Sequence, residues 1–141
     1  MLKYLEIPDG WIKACGLDKE KGEGGKLPGK ASYNFEAPRD DTYFLFLRAQ
    51  WFDDCGNSVY VKFDDSPKWL SIEDNLGMNT KTNYSWVWHP LMQEGAVKGI
   101  PLKKGAHKLW LNVREDGPKL DQWLIATDAN TPSEKPLKNR P

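Results

Sequence analysis

The sequence predicts an all-β protein, a single antiparallel β-sandwich of the jelly-roll type. Three observations favour this fold class. About eight short runs alternate with period two or are continuously apolar, turn signals recur about every ten residues, and no amphipathic helix is convincing. The 12 Gly and 10 Pro, spread along the chain, agree with many turns and few long helices.

The first half of the chain holds four of these elements. Residues 4–7 predict a short strand, and residues 11–30 a long loop rich in glycine and charge. Residues 31–37 alternate and predict a strand with one face buried. Residues 43–49 (YFLFLRA) are nearly continuous in apolar side chains, which predicts a central strand covered on both faces.

The middle of the chain is less regular. Residues 58–64 alternate cleanly and predict a strand, whereas residues 68–82 are poorly patterned and predict a loop with one short strand or helical turn. The run SWVWH predicts a short strand with Trp86 and Trp88 on the same face. Residues 91–98 are ambiguous.

The fold prediction depends most on residues 102–128. Residues 108–114 alternate, a polar turn cluster follows at residues 115–118, and residues 120–127 predict another strand. We therefore expect a hairpin that closes the sandwich, with a charged loop that helps to form a ligand site.

Length and charge limit the classes of function. The 141 residues suit one domain, which we place at residues 1–130, followed by a tail or linker at residues 131–141 rich in Pro and charge. The 20 basic and 20 acidic residues cancel, which argues against a dedicated nucleic-acid binder or a protein that binds anionic membranes. No apolar run approaches the roughly 20 residues that span a bilayer, and the first residues lack the apolar core of a secretory signal.

The two cysteines, Cys15 and Cys55, leave two interpretations open. They form one disulfide in an extracellular domain, or they are two free thiols. With no CxxC and only two histidines, a zinc site is not expected.

An ordered set of short motifs runs through most of residues 4–130. The set consists of Glu6; Tyr33, Phe35 and Pro38; Tyr43, Leu45 and Arg48; Asn57 to Asp64; Trp86 and Trp88; Gly105 to Leu111; Arg114 to Asp121; and Thr127 and Asp128. The pattern resembles the galactose-binding-like jelly roll and is most similar to the non-catalytic carbohydrate-binding modules of families 6 and 35. The resemblance implies a glycan site formed by loops at one end of the sandwich, and a structural calcium ion far from it.

Aromatic rings are the first candidates for that glycan site. Seven tryptophans are more than a small core holds, and a flat ring can stack on the C–H face of a pyranose. We expect this role for four of them, namely Trp51, Trp69, Trp86 and Trp88. The alternative, that these rings are core or cover a sheet edge, stays open. Trp110 and Trp123 lie inside strands, where a structural role is favoured.

Polar loop residues are the second candidates. Asp54, Asn57, Asp116 and Lys119 carry groups that bond to sugar hydroxyls or, for lysine, to a uronate or sulfate. In the resembled modules an asparagine often stands at the position of Lys119, so this departure points to an anionic sugar. The alternative is that these are solvated turn charges.

The resemblance also implies a metal site. Glu6 on the first strand and Asp128 after the last strand are the expected calcium ligands, because those two strands should lie side by side. The second acid of the family's first strand is replaced by Pro8.

The sequence thus predicts a non-catalytic carbohydrate-binding module that holds a parent secreted enzyme on a polysaccharide outside the cell. We expect it to be monomeric and part of a larger multidomain enzyme. A Gly-x-Ser-x-Gly, a phosphate loop and a His-Glu-x-x-His are all missing. The alternatives are an adhesive galactose-binding-like domain with a protein partner, and a small polysaccharide lyase or hydrolase.

Overall fold

The computed structural model describes the backbone of residues 3–6, and residues 30–51, 56–73, 86–112, 114 and 118–132. Within these ranges the chain forms eleven strands and no helix, and so no helix there could cross a membrane. The strands are β1 (Lys3–Glu6), β2 (Ala31–Ala37), β3 (Asp41–Gln50), β4 (Ser58–Phe63), β5 (Leu70–Glu73), β6 (Val87–Pro90), β7 (Met92–Gln93), β8 (Ala96–Val97), β9 (Gly99–Leu102), β10 (Gly105–Asn112) and β11 (Lys119–Ala126).

Two antiparallel sheets make up the sandwich. The five-stranded sheet has the order β1-β11-β3-β6, and β9 pairs with the first half of β3. The four-stranded sheet has the order β2-β10-β4-β5, and β7 and β8 form a separate small hairpin. The predicted fold class, an all-β antiparallel sandwich, is confirmed.

The core lies between the sheets and follows the alternation of the sequence. On β4, Val59, Val61 and Phe63 are buried, and on β2 Phe35 and Ala37 are buried. They pack in one cluster with inward residues of the five-stranded sheet, including Leu45, Leu47, Leu120, Trp123 and Ile125. The predicted inward faces of residues 31–37 and 58–64 are therefore confirmed.

Strand β3 is buried on both faces, as its continuous apolar run predicts. Its outward Phe46 is fully buried in a second cluster with Trp88, Leu124 and Ala126. This cluster lies on the outer side of the five-stranded sheet, because Phe46 alternates with the inward Leu45 and Leu47.

The predicted hairpin at residues 102–128 is wrong. Strand β10 pairs with β2 and β4, whereas β11 pairs with β1 and β3, so the two strands belong to different sheets. Both strands bury one face against the same core, and alternation is the same whether such strands pair or face each other. The connection after Asn112 therefore crosses between layers, which are about 10 Å apart in stacked sheets.

The ambiguous residues 91–98 contain the smallest hairpin. Glu94 and Gly95, between β7 and β8, have φ angles of 53° and 79°. Two successive positive φ angles are typical of a type I′ turn, which suits a two-residue hairpin loop.

Candidate functional site

The strand ends that flank the predicted ligand loops lie at one end of the sandwich. Gln50 at the end of β3 pairs with Lys119 at the start of β11, and Ser58 at the start of β4 pairs with Glu73 at the end of β5. Strand β6 starts at the same end, since Val87 pairs with Ala49. We call this region the loop end.

The predicted ligand residues do not all lie in one region of the molecule. Asn57, Trp86 and Lys119 lie at the loop end, and all three are partly buried. Asp54 and Asp116 lie outside the described residues, as do Cys15 and Cys55.

Two of the predicted stacking rings are core residues. Trp51 is 2% exposed and continues the inward face of β3, with its ring centroid 4.7 Å from that of His89. Trp88 is 1% exposed and packs with Phe46 and Leu124 in the outer cluster. Neither ring turns a face to solvent in this structure, and so neither is placed to stack on a sugar.

Trp86 is the predicted ring that remains available at the loop end. The guanidinium carbon of Arg48 lies 5.3 Å from its ring centroid. Arg48 is itself held by an ion pair with Asp121, and its side chain is only 9% exposed. A desolvated guanidinium on an aromatic ring stabilises both groups, by about 1 kcal/mol. The loop end therefore has an indole held by a buried guanidinium, beside a partly exposed carboxylate that can bond to a sugar hydroxyl.

Arg114 extends this polar region onto the four-stranded sheet. It donates a hydrogen bond to the Ser58 hydroxyl, lies 3.8 Å from a Glu73 carboxylate oxygen, and covers the Tyr60 ring at 5.7 Å. Arg48 and Arg114 thus each make an ion pair near a strand end.

Trp69 lies away from the loop end. It directly precedes β5, whose Leu70 pairs with Val61, so Trp69 is next to Lys62 on the outer side of the four-stranded sheet. Trp51 and Trp69 flank opposite ends of β4, and they therefore lie in different parts of the molecule.

Trp110 lies on the same outer surface and is partly exposed. Its alternation with the buried Leu109 and Leu111 directs it away from the core, whereas Trp123 is buried in the core. The sequence indicates this outward direction, because Lys108, Trp110 and Asn112 alternate with Leu109 and Leu111.

Three lysines surround these two rings. The Nζ atom of Lys62 lies 4.9 Å from the Trp69 centroid and 5.8 Å from the Trp110 centroid. The Nζ atom of Lys108 lies 5.1 Å from Trp110, and that of Lys30 lies 6.0 Å from Trp69. We call these five residues the tryptophan–lysine face.

A pocket of about 480 Å³ adjoins this face at the end opposite the loop end. It is bordered by Lys108 and Trp110 and by three acidic residues, Glu36, Asp64 and Asp65. Asp64, at the border of this pocket, has a φ angle of 51°. Its carboxylate accepts hydrogen bonds from the Lys108 backbone N–H at 2.8 Å and from His107 Nδ1 at 2.7 Å.

The contacts of His107 favour its charged form. Its Nε2 donates to the Lys103 carbonyl at 2.7 Å, and both ring nitrogens therefore face acceptors. Burial lowers the pKa of His107, but the bonds to Asp64 and Lys103 outweigh it, and the net pKa is raised above its ordinary value. Burial alone lowers the pKa of His89, in the core, to about 4.

The predicted calcium ligands lie at opposite ends of one strand pair. Glu6 pairs with Gln122, whereas Lys3 pairs with Ile125 and Asp128 follows three residues later. At about 3.3 Å per residue, the backbone at Glu6 and at Asp128 is separated by roughly 20 Å. This register does not bring the backbone of the two residues together, and calcium binding stays a prediction. Among the side chains that the structure describes, no group of three metal-binding residues converges.

Comparisons with known proteins support the fold. No protein-family model matches the sequence, and no curated protein sequence matches it. A family 35 carbohydrate binding module from an environmental isolate is similar in structure, with a TM-score of 0.50 and 20% identity over 77% of this chain and 72% of that one.

Two enzyme structures contain a similar sandwich. A ruminal GH26 endo-β-1,4-mannanase matches 92% of this chain with a TM-score of 0.55 and 14% identity, and this chain spans only 26% of its length. A GH115 4-O-methyl-α-glucuronidase with specificity for decorated arabinogalactans matches 89% of this chain with a TM-score of 0.50 and 15% identity, over 14% of its own length.

Proposed function

We propose that this chain is a non-catalytic carbohydrate-binding domain that holds a larger secreted enzyme on a polysaccharide outside the cell. The observation that carries the proposal is the loop end, where Arg48, held by Asp121, lies over Trp86, and where Asn57 and Lys119 lie at the same end of the sandwich. A rigid ring with polar groups around it suits a sugar, which offers C–H groups on one face and hydroxyls at its edge.

The fold agrees with this proposal. Similar sandwiches occur as a carbohydrate binding module and as a small part of two carbohydrate-active enzymes. A domain of this kind raises the effective concentration of its attached enzyme at the polymer. We expect modest affinity at a single site, because a shallow site buries little area.

The test is affinity gel electrophoresis on β-mannan and arabinogalactan, the polymers of the two enzyme neighbours. We expect retardation of the wild type on at least one of them, and about a tenfold loss with Trp86→Ala. Trp69→Ala on the neutral β-mannan is the matched control, because it removes an indole far from the loop end. Unchanged retardation of Trp86→Ala would place binding elsewhere, and release of sugar products would make the chain an enzyme.

A further inference from the structure

The tryptophan–lysine face places two indoles on the outer surface of one sheet. Trp110 and Lys62 are direct cross-strand partners, and Trp69 follows on the next strand. The backbone positions of the two indoles are thus about 10 Å apart, at two strand spacings. Neither indole belongs to a core cluster, so neither ring is needed to fill the interior.

Charge is concentrated on this face. Three ammonium groups, those of Lys30, Lys62 and Lys108, lie within 6.0 Å of an indole centroid. The outward residues Ser32, Asn34 and Ser71 beside them are neutral, and the acids Glu36, Asp64 and Asp65 lie to one side, at the pocket that borders Lys108 and Trp110. A chain with equal numbers of acidic and basic residues therefore carries a local positive patch around two rings.

We propose that the tryptophan–lysine face is a second ligand-binding surface, which takes an anionic glycan chain that carries carboxylates or sulfates. The indoles stack on the C–H faces of sugars, and the ammonium groups beside them pair with the anionic substituents. Lys62 lies between the two rings. A glycan that covers both rings therefore passes over this lysine, which pairs with the charged groups of the glycan.

The acidic pocket beside the face favours a glycan over a nucleic acid. Glu36, Asp64 and Asp65 line it next to Lys108 and Trp110. Carboxylates accept hydrogen bonds from sugar hydroxyls, but they repel a backbone with a phosphate in every unit. A glycan directs neutral hydroxyls into the pocket and its charged groups to the lysines.

Isothermal titration calorimetry of the full chain tests the rings first. The probes are polygalacturonate for carboxylates, a sulfated galactan for sulfates and the unsulfated galactan as the neutral control. We expect Trp69→Ala and Trp110→Ala each to weaken binding of at least one anionic probe about tenfold, with little change in Tm. The same two substitutions are also made in a Trp86→Ala background, so that the proposed loop-end site does not contribute to the binding that is compared.

The lysines give the second arm of the experiment. Lys62→Met should weaken anionic binding about threefold and reduce its salt dependence, whereas Lys62→Arg should retain both. Lys104→Met is the matched control, because Lys104 is exposed and lies outside the face.

Three results would overturn the proposal. They are no binding of either anionic probe by the wild type, equal binding of the neutral galactan, and wild-type affinity in both indole variants. Tighter binding of a single-stranded oligonucleotide, lost in the same variants, would also overturn it, because the face would then serve nucleic acid.

Discussion

The two sheets carry tryptophan on their outer faces in opposite ways. On the five-stranded sheet Trp88 is 1% exposed and packs with Phe46 and Leu124. On the four-stranded sheet Trp69 and Trp110 are partly exposed and are flanked by lysines. Residue type is the same on both sides, but the neighbours of each ring differ.

This difference separates rings that stabilise the fold from rings that are available to a ligand. A ring that is surrounded by apolar neighbours contributes its full transfer free energy, and its removal leaves a cavity. A ring on a polar face contributes part of its area and its contacts with cations, and solvent fills the space when it is removed. The two outer faces should therefore respond differently to the same substitution.

The largest effect is expected for Trp88→Ala. Removing a fully buried indole from the cluster with Phe46 should lower the free energy of unfolding by about 3 to 5 kcal/mol. Urea unfolding followed by far-UV circular dichroism measures it. A loss below about 1 kcal/mol would mean that this outer face is not closely packed.

Low pH should destabilise the protein through His89, the residue next to Trp88 on the same strand. His89 turns inward, is buried, and has a pKa lowered to about 4 by burial. Above pH 6.5 it is neutral in both states. Below that, the unfolded chain binds a proton that the folded protein excludes, so stability falls by roughly 3 kcal/mol as the pH drops towards 4.

The comparison of wild type with His89→Leu isolates that contribution. The slope of unfolding free energy against pH, between pH 6.5 and pH 4.5, should be steeper in the wild type. Equal slopes would show that His89 is protonated in the folded state or exposed to water.

A smaller loss is expected for Trp110→Ala on the other outer face. Trp110 loses contacts with the ammonium groups of Lys62 and Lys108, each worth about 0.5 kcal/mol, and part of its buried area. The free energy of unfolding should fall by about 1 to 2 kcal/mol, measured with urea beside Trp88→Ala. A loss as large as that of Trp88→Ala would remove the distinction between the faces.

Alternation predicted which side of a strand is buried. It placed Val59, Val61 and Phe63 inside, and the continuous run around Phe46 predicted a strand covered on both faces. These predictions depend on one strand at a time, where the period of two and the amount of apolar surface are sufficient.

Partner choice and the position of the site needed the structure. The pattern of β10 and β11 does not say whether they pair or face each other, and so the predicted hairpin was a crossover between sheets. Trp51 follows a strand in the sequence, and only packing against His89 shows that it belongs to the core. The tryptophan–lysine face is formed by residues from four strands or their flanks, which no local pattern brings together.

The smallest effect concerns His107, at the rim between the core and the tryptophan–lysine face. Its bonds to Asp64 and to the Lys103 carbonyl, with Glu36 nearby, raise its pKa against the opposing effect of burial. The stability that this ion pair adds is fully present below the unfolded pKa of about 6.5 and is lost as the pH rises through the folded value. The Tm difference between wild type and His107→Gln should therefore be larger at pH 5.5 than at pH 9. Proton NMR of the imidazole should give a pKa above 6.5, which falls in Asp64→Asn. An unchanged pKa in that variant would mean that the carboxylate does not hold the charge, and that the corner beside the face depends on the Lys103 carbonyl instead.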